Sequence, residues 1–530
     1  MPRAFETVIQ QIRHDVLTHL ARMATEGTLA QATESIPGLV VPGTRPRFRC
    51  CVHRERAVVR DRVKLALGTN APAEPGPRTS AQETSHGIVQ VIEEACEECP
   101  LDRFMVTEAC QGCITHPCID ACKPGAIVQV NRRAFIHQDK CVDCGLCHSA
   151  CPFGAIVDRE RPCIRACPVN AISYGEEKIA RIDYTRCIDC GLCVFKCPFG
   201  AISDTSCITQ MVALLRGAPS DPQAPGAVHA IAAPAIAAQF PGIPLGRLHG
   251  ALRRLGFAAV HEAAHGADLA LPREAVELQE RIRAGSFVTS SCCPAWVDII
   301  RKHFSGLAPH ISSAPSPMIA MGRHVRDKCP QAVTVFLGPC IAKKAEAQKP
   351  ENAGAIDWVM TFEEVAALID AAGIDIATCE DIPLEEASSF GRAFARCGGV
   401  GEAVAEAVEE AARAGVTGAP VAPTPGGMRT QVLAGEAIKV RPIVCDGASD
   451  CLHMLRQTTA GTPPGNFLEG MACEGGCIGG PGSLNHSSKA KSFVNQYSRA
   501  AMFRTIAQAN SGTLAVEVRV SMSEPPPKPR

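Results

Sequence analysis

The amino-acid sequence predicts two fold classes in one chain: a cysteine-dense α+β region, followed by an α/β domain with a mostly parallel sheet. Sixteen of the 29 cysteines lie between Cys96 and Cys197, a density that indicates metal binding. From residue 228 onward, apolar strand candidates alternate with helix candidates, as in parallel sheets whose strands are joined by helices. We therefore expect small metal-binding modules first and an α/β domain after them.

The composition excludes several classes of protein. With 530 residues, of which 46% are hydrophobic, the chain can bury a sizeable core. A net charge of −1 and an aromatic content of 4% argue against nucleic-acid binding. Met1–Leu17 lacks the apolar stretch of a secretory signal, and Ala227–Ala238 is shorter than the roughly 20 residues that cross a bilayer. We expect a cytoplasmic protein that binds no membrane, and in that reducing compartment cysteines more often hold metal than form disulfides.

Five segments are expected along the chain. They are a mostly helical N-terminal extension (1–85), the cysteine-dense region (86–207), a linker (208–228), the α/β domain (229–510) and a disordered tail (511–530). In the extension, apolar periodicity predicts helices over Phe5–Leu20 and Arg56–Leu67, and prolines and glycines predict a loop at 68–77. In the α/β domain, the predicted strands are Val228–Ala233, Ala258–Glu262, Val333–Leu337 and Val440–Val444, and the predicted helices are Leu245–Leu255, Arg273–Ile282, Phe362–Ala371 and Val404–Ala414.

Two segments of the cysteine-dense region nearly repeat each other. Cys141–Ile156 and Cys187–Ile202 each start with three cysteines separated by two residues and end in Cys-Pro-Phe-Gly-Ala-Ile. This C-x2-C-x2-C-x3-C-P pattern is typical of bacterial ferredoxins, in which three thiolates hold one [4Fe–4S] cluster and the fourth reaches a second cluster. The repeat therefore predicts ferredoxin-like α+β modules.

Each run needs a partner half, and the other cysteines of the region provide it. Four cysteines precede the first run, whereas only Cys163 and Cys167 precede the second, so that the isolated pair Cys96 and Cys99 is needed to complete it. The sixteen cysteines then divide into four [4Fe–4S] clusters with none left over. The expected ligand sets are Cys110, Cys113, Cys118 and Cys151; Cys141, Cys144, Cys147 and Cys122; Cys187, Cys190, Cys193 and Cys167; and Cys163, Cys197, Cys96 and Cys99.

Zinc is the competing interpretation of these cysteines. Zinc sites usually combine two separated C-x2-C pairs per ion, rather than four cysteines in eleven residues followed by proline. His116, His137 and His148 are expected to be loop residues rather than ligands. A row of clusters relays single electrons over short distances, which predicts electron transfer but does not identify the substrate.

Three segments of the α/β domain carry further chemistry. They read Ser290-Ser-Cys-Cys-Pro-Ala-Trp296, Gly338-Pro-Cys-Ile-Ala-Lys-Lys344 and Glu469-Gly-Met-Ala-Cys-Glu-Gly-Gly-Cys-Ile-Gly-Gly480. We call them the first, second and third motifs. Their cysteines Cys293, Cys340, Cys473 and Cys477 can hold one more cluster, and the glycines of the third motif allow the backbone to approach a bulky group.

The three motifs resemble the signatures of the [FeFe]-hydrogenases, T-S-C-C-P-x-W, M-P-C-x-x-K and E-x-M-A-C-x-x-G-C-x-x-G-G, and the resemblance covers residues 90–505. It implies an H-cluster, in which a cysteine bridges a [4Fe–4S] cube to a diiron centre with CO, cyanide and azadithiolate ligands. The four motif cysteines would ligate the cube, with Cys477 as the bridge. Lys343 would donate a hydrogen bond to a cyanide, and Met471 would pack beside the diiron centre.

The resemblance also implies a path for protons. Cys292 would exchange protons with the bridging amine, and Glu274, Glu277 and Ser312 would continue the path toward Arg281 at its outer end. From the residues alone, Glu274 and Glu277 would instead be a solvated i, i+3 face of a helix.

Three positions depart from the commonest form of the signatures. Ser290 replaces a threonine, Gly338 replaces a methionine, and Pro481 stands where a third glycine is common. The cluster ligands are unchanged, so the departures concern packing around the diiron ligands. The Gly-Pro-Cys form with a four-cluster N-terminal region resembles a less-studied, monomeric branch of the family.

The function implied is that of a ferredoxin-type iron hydrogenase, which interconverts H2 with two protons and two electrons. The expected partners are ferredoxin or a similar electron carrier, and the maturation enzymes that build the diiron centre. Three alternatives stay open: an H2 sensor, an iron–sulfur assembly protein that lacks the diiron centre, and a subunit of a larger NAD-linked complex.

Eight cysteines have no predicted cofactor. Each is expected to be a small buried hydrophobic side chain. They are Cys50, Cys51, Cys207, Cys329, Cys379, Cys397, Cys445 and Cys451. Cys50 and Cys51 are adjacent in sequence, and no role is predicted for the pair.

Overall fold

The fold is described from a computed structural model, which defines residues 5–67, 87–96, 99–175, 179–413, 439–461 and 463–511. The chain forms two compact units, Met1–Val212 and Ala213–Arg530. The predicted loop at 68–77 and residues 512–530 of the predicted disordered tail lie outside the described residues. Among the helices that can be described, none combines the length and apolarity needed to cross a bilayer.

The first unit begins with the helical extension. Its helices are α1 (Val8–Glu26), α2 (Leu29–Ala32), α3 (Ile36–Val40) and α4 (Val52–Leu67). α1 starts where the Thr7 hydroxyl accepts the backbone N–H of Gln10, and it buries an apolar side that includes Val16 and Leu20. Both predicted helices are present, but α1 extends six residues further, to Glu26, and α4 starts at Val52 rather than Arg56.

The cysteine-dense part of the first unit consists of very short elements. These are β1 (Val89–Val91), β2 (Phe104–Val106), α5 (Pro117–Asp120), β3 (Ile127–Val130), β4 (Arg133–Ile136), α6 (Leu146–Ala150), β5 (Ile156–Asp158), α7 (Pro162–Ala166), β6 (Ile172–Tyr174), β7 (Ala180–Ile182), α8 (Leu192–Lys196) and β8 (Ile202–Asp204). The strands form four antiparallel two-stranded sheets, β1–β8, β2–β5, β3–β4 and β6–β7. The predicted α+β class is confirmed for this region.

Cysteine side chains are part of the small core of this region. One apolar cluster combines Phe104, Ile127, Ile136 and Ile156 with Cys147. Four further thiols pack against it, from Cys118, Cys122, Cys141 and Cys151. A core of this size buries little apolar surface, so the groups held by the thiols contribute directly to its stability.

Arginines of the extension bind the segment that follows the second predicted run. The Arg13 guanidinium lies 3.1 Å from the Asp204 carboxylate, and the Arg62 guanidinium donates to the Gly200 carbonyl at 2.6 Å. Arg49 donates to the Phe199 carbonyl at 3.1 Å. The extension therefore packs on the residues just after Cys197, within the first unit.

The boundary between the two units falls in α9 (Ile208–Gly217), which occupies the first ten residues of the predicted linker. The structure differs from the prediction there because Ile208, Met211 and Leu215 are buried. The elements that follow are β9 (Val228–Ala232), α10 (Leu245–Leu255), β10 (Ala259–Glu262), α11 (Ala263–Arg283), β11 (Val288–Thr289), α12 (Pro294–His303), α13 (Pro317–Lys328), β12 (Val333–Gly338), α14 (Ala342–Ala347), β13 (Trp358–Thr361), α15 (Phe362–Ala371), α16 (Ser389–Ala393), α17 (Gly399–Arg413), β14 (Pro442–Asp446), α18 (Ala448–Ala460), β15 (Phe467–Met471), α19 (Ala490–Arg499) and α20 (Ile506–Asn510).

Two parallel sheets organise the second unit. One has the strand order β10-β9-β12-β13, and the other has the order β11-β15-β14. All their strand pairs are parallel, with Ile231 opposite Phe336 in the first sheet and Thr289 opposite Leu468 in the second. Since helices connect these strands, the predicted α/β class with a mostly parallel sheet is confirmed.

Candidate active site

The three motifs all begin at the carboxyl ends of strands. β11 leads into Cys292 and Cys293, β12 leads into Cys340, and β15 leads into Cys473. Two backbone hydrogen bonds hold these ends together: Ser290 N–H donates to the Leu468 carbonyl at 2.9 Å, and Gly482 N–H donates to the Pro339 carbonyl at 2.8 Å. Loops at the carboxyl ends of parallel strands are the usual place for a ligand site in α/β folds.

The structure brings predicted ligands from all three motifs together. Burial raises the pKa of the Cys340 thiol, and the neighbouring Cys293 and Cys477 raise it further because like charges repel. Burial and Cys293 raise the pKa of Cys477 to about 11. Cys473 precedes Cys477 in a turn closed by a hydrogen bond from Gly476 N–H to the Cys473 carbonyl at 3.1 Å.

The donors at this place fit an iron–sulfur cube. They are four thiols, the soft ligands that iron–sulfur clusters take, and no carboxylate lies among the four. Within the described ranges, no group of three or more His, Cys, Asp or Glu side chains is arranged to hold a single metal ion. Thiols contributed by three separate motifs suit a cluster with a metal at each corner.

Cys292 and Met471 lie beside the four thiols. Burial raises the pKa of the Cys292 thiol well above its usual value, and Cys293, Cys477 and Glu274 add to this effect. Met471 is 2% exposed and belongs to an apolar cluster against which both Cys292 and Cys293 pack. Cys292 is thus in reach of the charges on both the predicted ligands and the predicted proton path.

The predicted acidic residues lie on one face of α11. Glu274 is buried and accepts a hydrogen bond from Ser312, whereas Glu277 is half-buried and accepts bonds from the backbone N–H and the hydroxyl of Ser313, both at 2.8 Å. Arg281 donates to the Pro309 carbonyl at 3.1 Å. The structure therefore joins Glu274 to Ser312 but joins Glu277 to the next serine along the chain.

The protonation of Glu274 is expected to change near neutral pH. Burial raises the pKa of this carboxyl to about 7, although the Ser312 hydrogen bond opposes the shift. The folded chain therefore binds the Glu274 proton more tightly than the unfolded chain does. The contribution of Glu274 to the free energy of unfolding is greatest below about pH 4.5, and it is lost as the pH rises to about 7. Infrared difference spectra should show a carboxylic acid C=O band that disappears with a midpoint near pH 7. Burial also raises the pKa of Asp268 to about 7, so this carboxyl contributes to the same band. The Glu274 component should be lost in Glu274→Gln and should titrate at higher pH in Ser312→Ala; an unchanged midpoint of that component in Ser312→Ala would contradict the assignment.

Lys343 is fixed by two contacts at the start of α14. Its ammonium donates to the Cys292 carbonyl at 3.1 Å and to the Glu346 carboxylate at 2.6 Å. The side chains of Lys343 and Glu346 are both buried. Burial lowers the pKa of Lys343, but the Glu346 carboxylate, Cys340 and Cys292 together outweigh burial, and the net shift is upward. The lysine therefore stays charged beside the first motif.

Two glutamates of the site were missed by the sequence analysis. Glu346 pairs with Lys343, and its position three residues later on a helix was a usable signal. Glu469, the first residue of the third motif, accepts the backbone N–H groups of Gly398 and Gly401, each at 2.7 Å. These amides start α17, so the buried carboxylate ties β15 to a helix N-terminus. No local pattern links Glu469 to a helix that starts seventy residues earlier.

Gly338, where the family signature has methionine, is explained by its neighbour Phe336. A Cβ atom at position 338 would lie 2.4 Å from the Phe336 ring, which is closer than real contacts allow. Phe336 is buried, so its ring cannot move aside into solvent. In this chain the side chain of Phe336, two residues earlier on β12, therefore fills the space beside the second motif.

Replacing Gly338 with methionine should therefore destabilise the second unit. We expect a loss of about 1–3 kcal/mol, the usual cost of overpacking, seen as a lower denaturant midpoint. Both tryptophans of the chain, Trp296 and Trp358, belong to this unit, so tryptophan fluorescence reports on it alone. The double variant Phe336→Ala/Gly338→Met should be more stable than the sum of the two single effects. Strict additivity would show that the ring does not oppose the methionine.

Fourteen of the sixteen cysteines of the first unit lie near other members of their expected sets. Burial raises the pKa of the Cys118, Cys147, Cys193 and Cys163 thiols, and neighbouring cysteines raise it further. These neighbours are Cys110 and Cys151 for Cys118; Cys122 and Cys141 for Cys147; Cys167, Cys187 and Cys190, with Cys163 of the fourth set, for Cys193; and Cys96, Cys99 and Cys197 for Cys163. The isolated pair Cys96 and Cys99 thus lies beside Cys163, whose pKa reaches about 12. Cys113 and Cys144 lie on the loops between members of their own sets.

A backbone hydrogen bond recurs at Cys122, Cys151, Cys167 and Cys197, each the last cysteine of its local run. In each case the thiol sulfur accepts the N–H of the alanine four residues later, at 3.2–3.3 Å. The pairs are Cys122–Ala126, Cys151–Ala155, Cys167–Ala171 and Cys197–Ala201. Such N–H donors stabilise thiolates and tune the potential of a bound cluster. The four repeats therefore share one local geometry.

Comparison with known proteins agrees with these sites. Residues 226–481 match the profile described as iron only hydrogenase large subunit, C-terminal domain. Residues 161–201 match a 4Fe–4S dicluster domain, and residues 134–157 match a 4Fe–4S binding domain. The chain therefore carries iron–sulfur cluster domains of the ferredoxin type ahead of the hydrogenase-like domain.

Three relatives indicate the range of the family. Iron hydrogenase 1 of Clostridium pasteurianum is 32% identical over 46% of this chain and 46% of its own length. The periplasmic [Fe] hydrogenase large subunit of Nitratidesulfovibrio vulgaris is 31% identical over 48% of this chain and 69% of its own length. Cytosolic iron-sulfur assembly component 3 of Pongo abelii is 30% identical over 37% of this chain and 46% of its own length. The chain thus spans about half the length of two of these relatives and more than two thirds of the other, and it belongs to the iron-only hydrogenase family.

Proposed function

We propose that this chain is a hydrogenase, which interconverts H2 with two protons and two electrons. The observation that carries the proposal is the position of Cys292. The charges of Cys293 and Cys477 and the charge of Glu274 all act on this buried thiol. A thiol near both the predicted cluster ligands and a buried carboxyl is suited to pass protons to a reacting centre.

The residues at the strand ends fit an H-cluster. Cys293, Cys340, Cys473 and Cys477 would hold its cube, and Cys477 would bridge to the diiron centre. When bound, this group supplies the binding and heterolytic splitting of H2. Lys343 places a buried positive charge where anionic ligands are expected, and Met471 excludes water from the same place.

The chain's own groups provide the proton path. The Cys292 thiol exchanges a proton with Glu274, whose Oε1 is buried and lacks a hydrogen-bond partner in the part of the chain that the structure describes. A carboxyl with a pKa of about 7 accepts and releases a proton with little driving force at neutral pH. Ser312 and Ser313 are adjacent, so their bonds to Glu274 and Glu277 bring the two carboxylates to one short segment.

The first unit is proposed to carry electrons through four [4Fe–4S] clusters. The grouping of Cys96 and Cys99 with Cys163 and Cys197 supports the fourth cluster. The sequence supports that cluster only because sixteen cysteines divide into four sets of four. A ferredoxin or a similar one-electron carrier would exchange electrons with these clusters, and maturation enzymes would supply the diiron centre. We propose the cytoplasm as the site of action.

A matured preparation tests the proposal. Protein co-produced with maturation enzymes should evolve H2 from reduced viologen, show infrared bands of CO and cyanide, and contain about 22 irons per chain. The same protein made without maturation enzymes is the matched control and should show neither the bands nor H2. Matured protein that shows the bands but evolves no H2 would contradict the proposed catalysis.

A second candidate function is iron–sulfur assembly without the diiron centre. It is favoured by the relatives named cytosolic iron-sulfur assembly component 3. The infrared bands separate the two functions, because a protein that never holds the diiron centre gives none after maturation. Intact cube iron without CO or cyanide bands would support assembly.

A further inference from the structure

Cys50 and Cys51 form a pair of thiols on the surface of the first unit. Their sulfur atoms are 4.0 Å apart, Cys50 is exposed and Cys51 is half-buried. Five other cysteines without a predicted cofactor, Cys329, Cys379, Cys397, Cys445 and Cys451, are buried as expected. The expectation of a buried apolar role is therefore wrong for Cys50, and the pair needs another explanation.

The loop before α4 is built to keep the two thiols at the surface. The Glu55 carboxylate accepts the backbone N–H groups of Arg47, Phe48 and Arg49, which folds the loop back over the first turn of the helix. The Arg49 side chain then binds the Phe199 carbonyl at 3.1 Å. Anchored at both sides, the loop presents Cys50 and Cys51 side by side at the start of the helix.

The environment of Cys51 favours its thiolate. The backbone N–H of Arg54 is the main cause that lowers the pKa of this thiol, and Cys50, the N–H of His53 and the charge of Arg54 act in the same direction. The thiolate is the form of cysteine that attacks disulfides. Cys51 is therefore suited to attack first, and the Cys50 sulfur, 4.0 Å away, lies within reach to follow it.

We propose that Cys50 and Cys51 are a reversible dithiol–disulfide modification site that reacts with low-molecular-weight disulfides. The Cys51 thiolate attacks one sulfur of the disulfide, which forms a mixed disulfide and releases one thiolate. Cys50 then loses its proton and attacks the Cys51 sulfur, which forms the Cys50–Cys51 bond and releases the second thiolate. The two cysteines are oxidised by two electrons, and the small disulfide is reduced to two thiols.

A bond between adjacent cysteines suits a reversible site rather than a structural one. Neighbouring Cα atoms are about 3.8 Å apart across a trans peptide, whereas disulfides usually join Cα atoms about 4.4–6.8 Å apart. The closed ring is therefore strained, and strained disulfides are the more easily reduced, regulatory kind. The site should open again when reduced thiols are in excess.

Peptide mapping of the full-length, iron-loaded chain tests the proposal. The protein is treated without oxygen with oxidised glutathione, quenched in acid, alkylated and cut with trypsin, which releases Cys50–Arg54 as one peptide with both cysteines. We expect this peptide to lose two hydrogens and both alkylation sites, and to recover them after dithiothreitol. The tryptic peptide 397–413, whose single cysteine is the buried Cys397, is the internal control and should stay alkylated.

Two single variants identify the order of attack. Cys50→Ser should stop at a stable glutathione adduct on Cys51, because the resolving thiol is missing. Cys51→Ser should react about 10-fold more slowly, because the favoured thiolate is missing. The proposal is overturned if the wild-type peptide stays a dithiol, if it stops at glutathione adducts, or if the Cys397 peptide is modified as fast. Since none of these readouts uses H2 or the diiron centre, failure here is distinct from failure of the proposed function.

Discussion

Replacing Cys292 with alanine is expected to lower H2 evolution roughly 10²- to 10⁴-fold, the usual contribution of a positioned proton donor. The charges of Cys293, Cys477 and Glu274 all act on this thiol, and alanine leaves the proposed proton step without a carrier. The side chain is not one of the proposed cube ligands. Iron content and the CO and cyanide bands should therefore stay at the level of the unchanged protein, while reduced-viologen assays show the loss.

Cys397→Ala is the matched control for this experiment. Cys397 is also a buried thiol of the same apolar cluster, but its sulfur points to the Cys445 carbonyl at 3.8 Å. We expect this variant to keep most of its activity. If Cys397→Ala loses as much activity as Cys292→Ala, the effect comes from packing in the apolar cluster. If Cys292→Ala loses its infrared bands as well, the thiol is needed to hold the cofactor.

Replacing Glu346 with leucine is expected to destabilise the second unit by about 3–5 kcal/mol, the usual cost of removing one partner from a buried ion pair. The carboxylate lies 2.6 Å from the Lys343 ammonium, and both side chains are about nine-tenths buried. Leucine leaves the ammonium with only the Cys292 carbonyl as partner among the contacts described for it. Urea unfolding of the full chain, followed by tryptophan fluorescence, should show the shift.

The double variant Lys343→Met/Glu346→Leu separates charge from packing. It removes both charges and keeps side chains of similar size, so most of the lost stability should return. If the double variant is as unstable as Glu346→Leu alone, the cost comes from the shape of the leucine and not from the unpaired ammonium.

Local patterns predicted the fold class well because the strands of the second unit are short apolar runs between clear helix signals. α10 and α15 have the predicted bounds, and β9 differs by one residue. α11 was predicted only from Arg273, whereas it starts at Ala263 and continues through Pro272. Its first half is rich in alanine and contains Gly266, where a Cβ atom would lie 2.1 Å from the Pro317 carbonyl. That helix exists because α13 packs closely against it, which no local pattern shows.

The same distinction holds for the candidate site: features set by local sequence were predictable, whereas contacts between distant residues were not. Cysteine spacing suggested the thiol sets, since clusters impose fixed spacings along a chain. Cysteine spacing could not predict that Glu469 accepts the amides of Gly398 and Gly401. It also could not predict that Phe336 fills the space beside Gly338. The role of Cys50 and Cys51 could not be predicted either, because adjacency in sequence does not show whether two thiols face the solvent or the core.

The hydrogen bonds that join the three motifs have a consequence for the order in which the second unit folds and receives its cofactor. Gly482 binds Pro339, Ser290 binds Leu468, and Glu469 binds Gly401, all through groups other than thiols. These contacts hold the strand ends together without any thiol, so we expect the second unit to fold before its cofactor is inserted. In the cysteine-dense part of the first unit, thiols belong to the small core, so there we expect folding and iron loading to occur together.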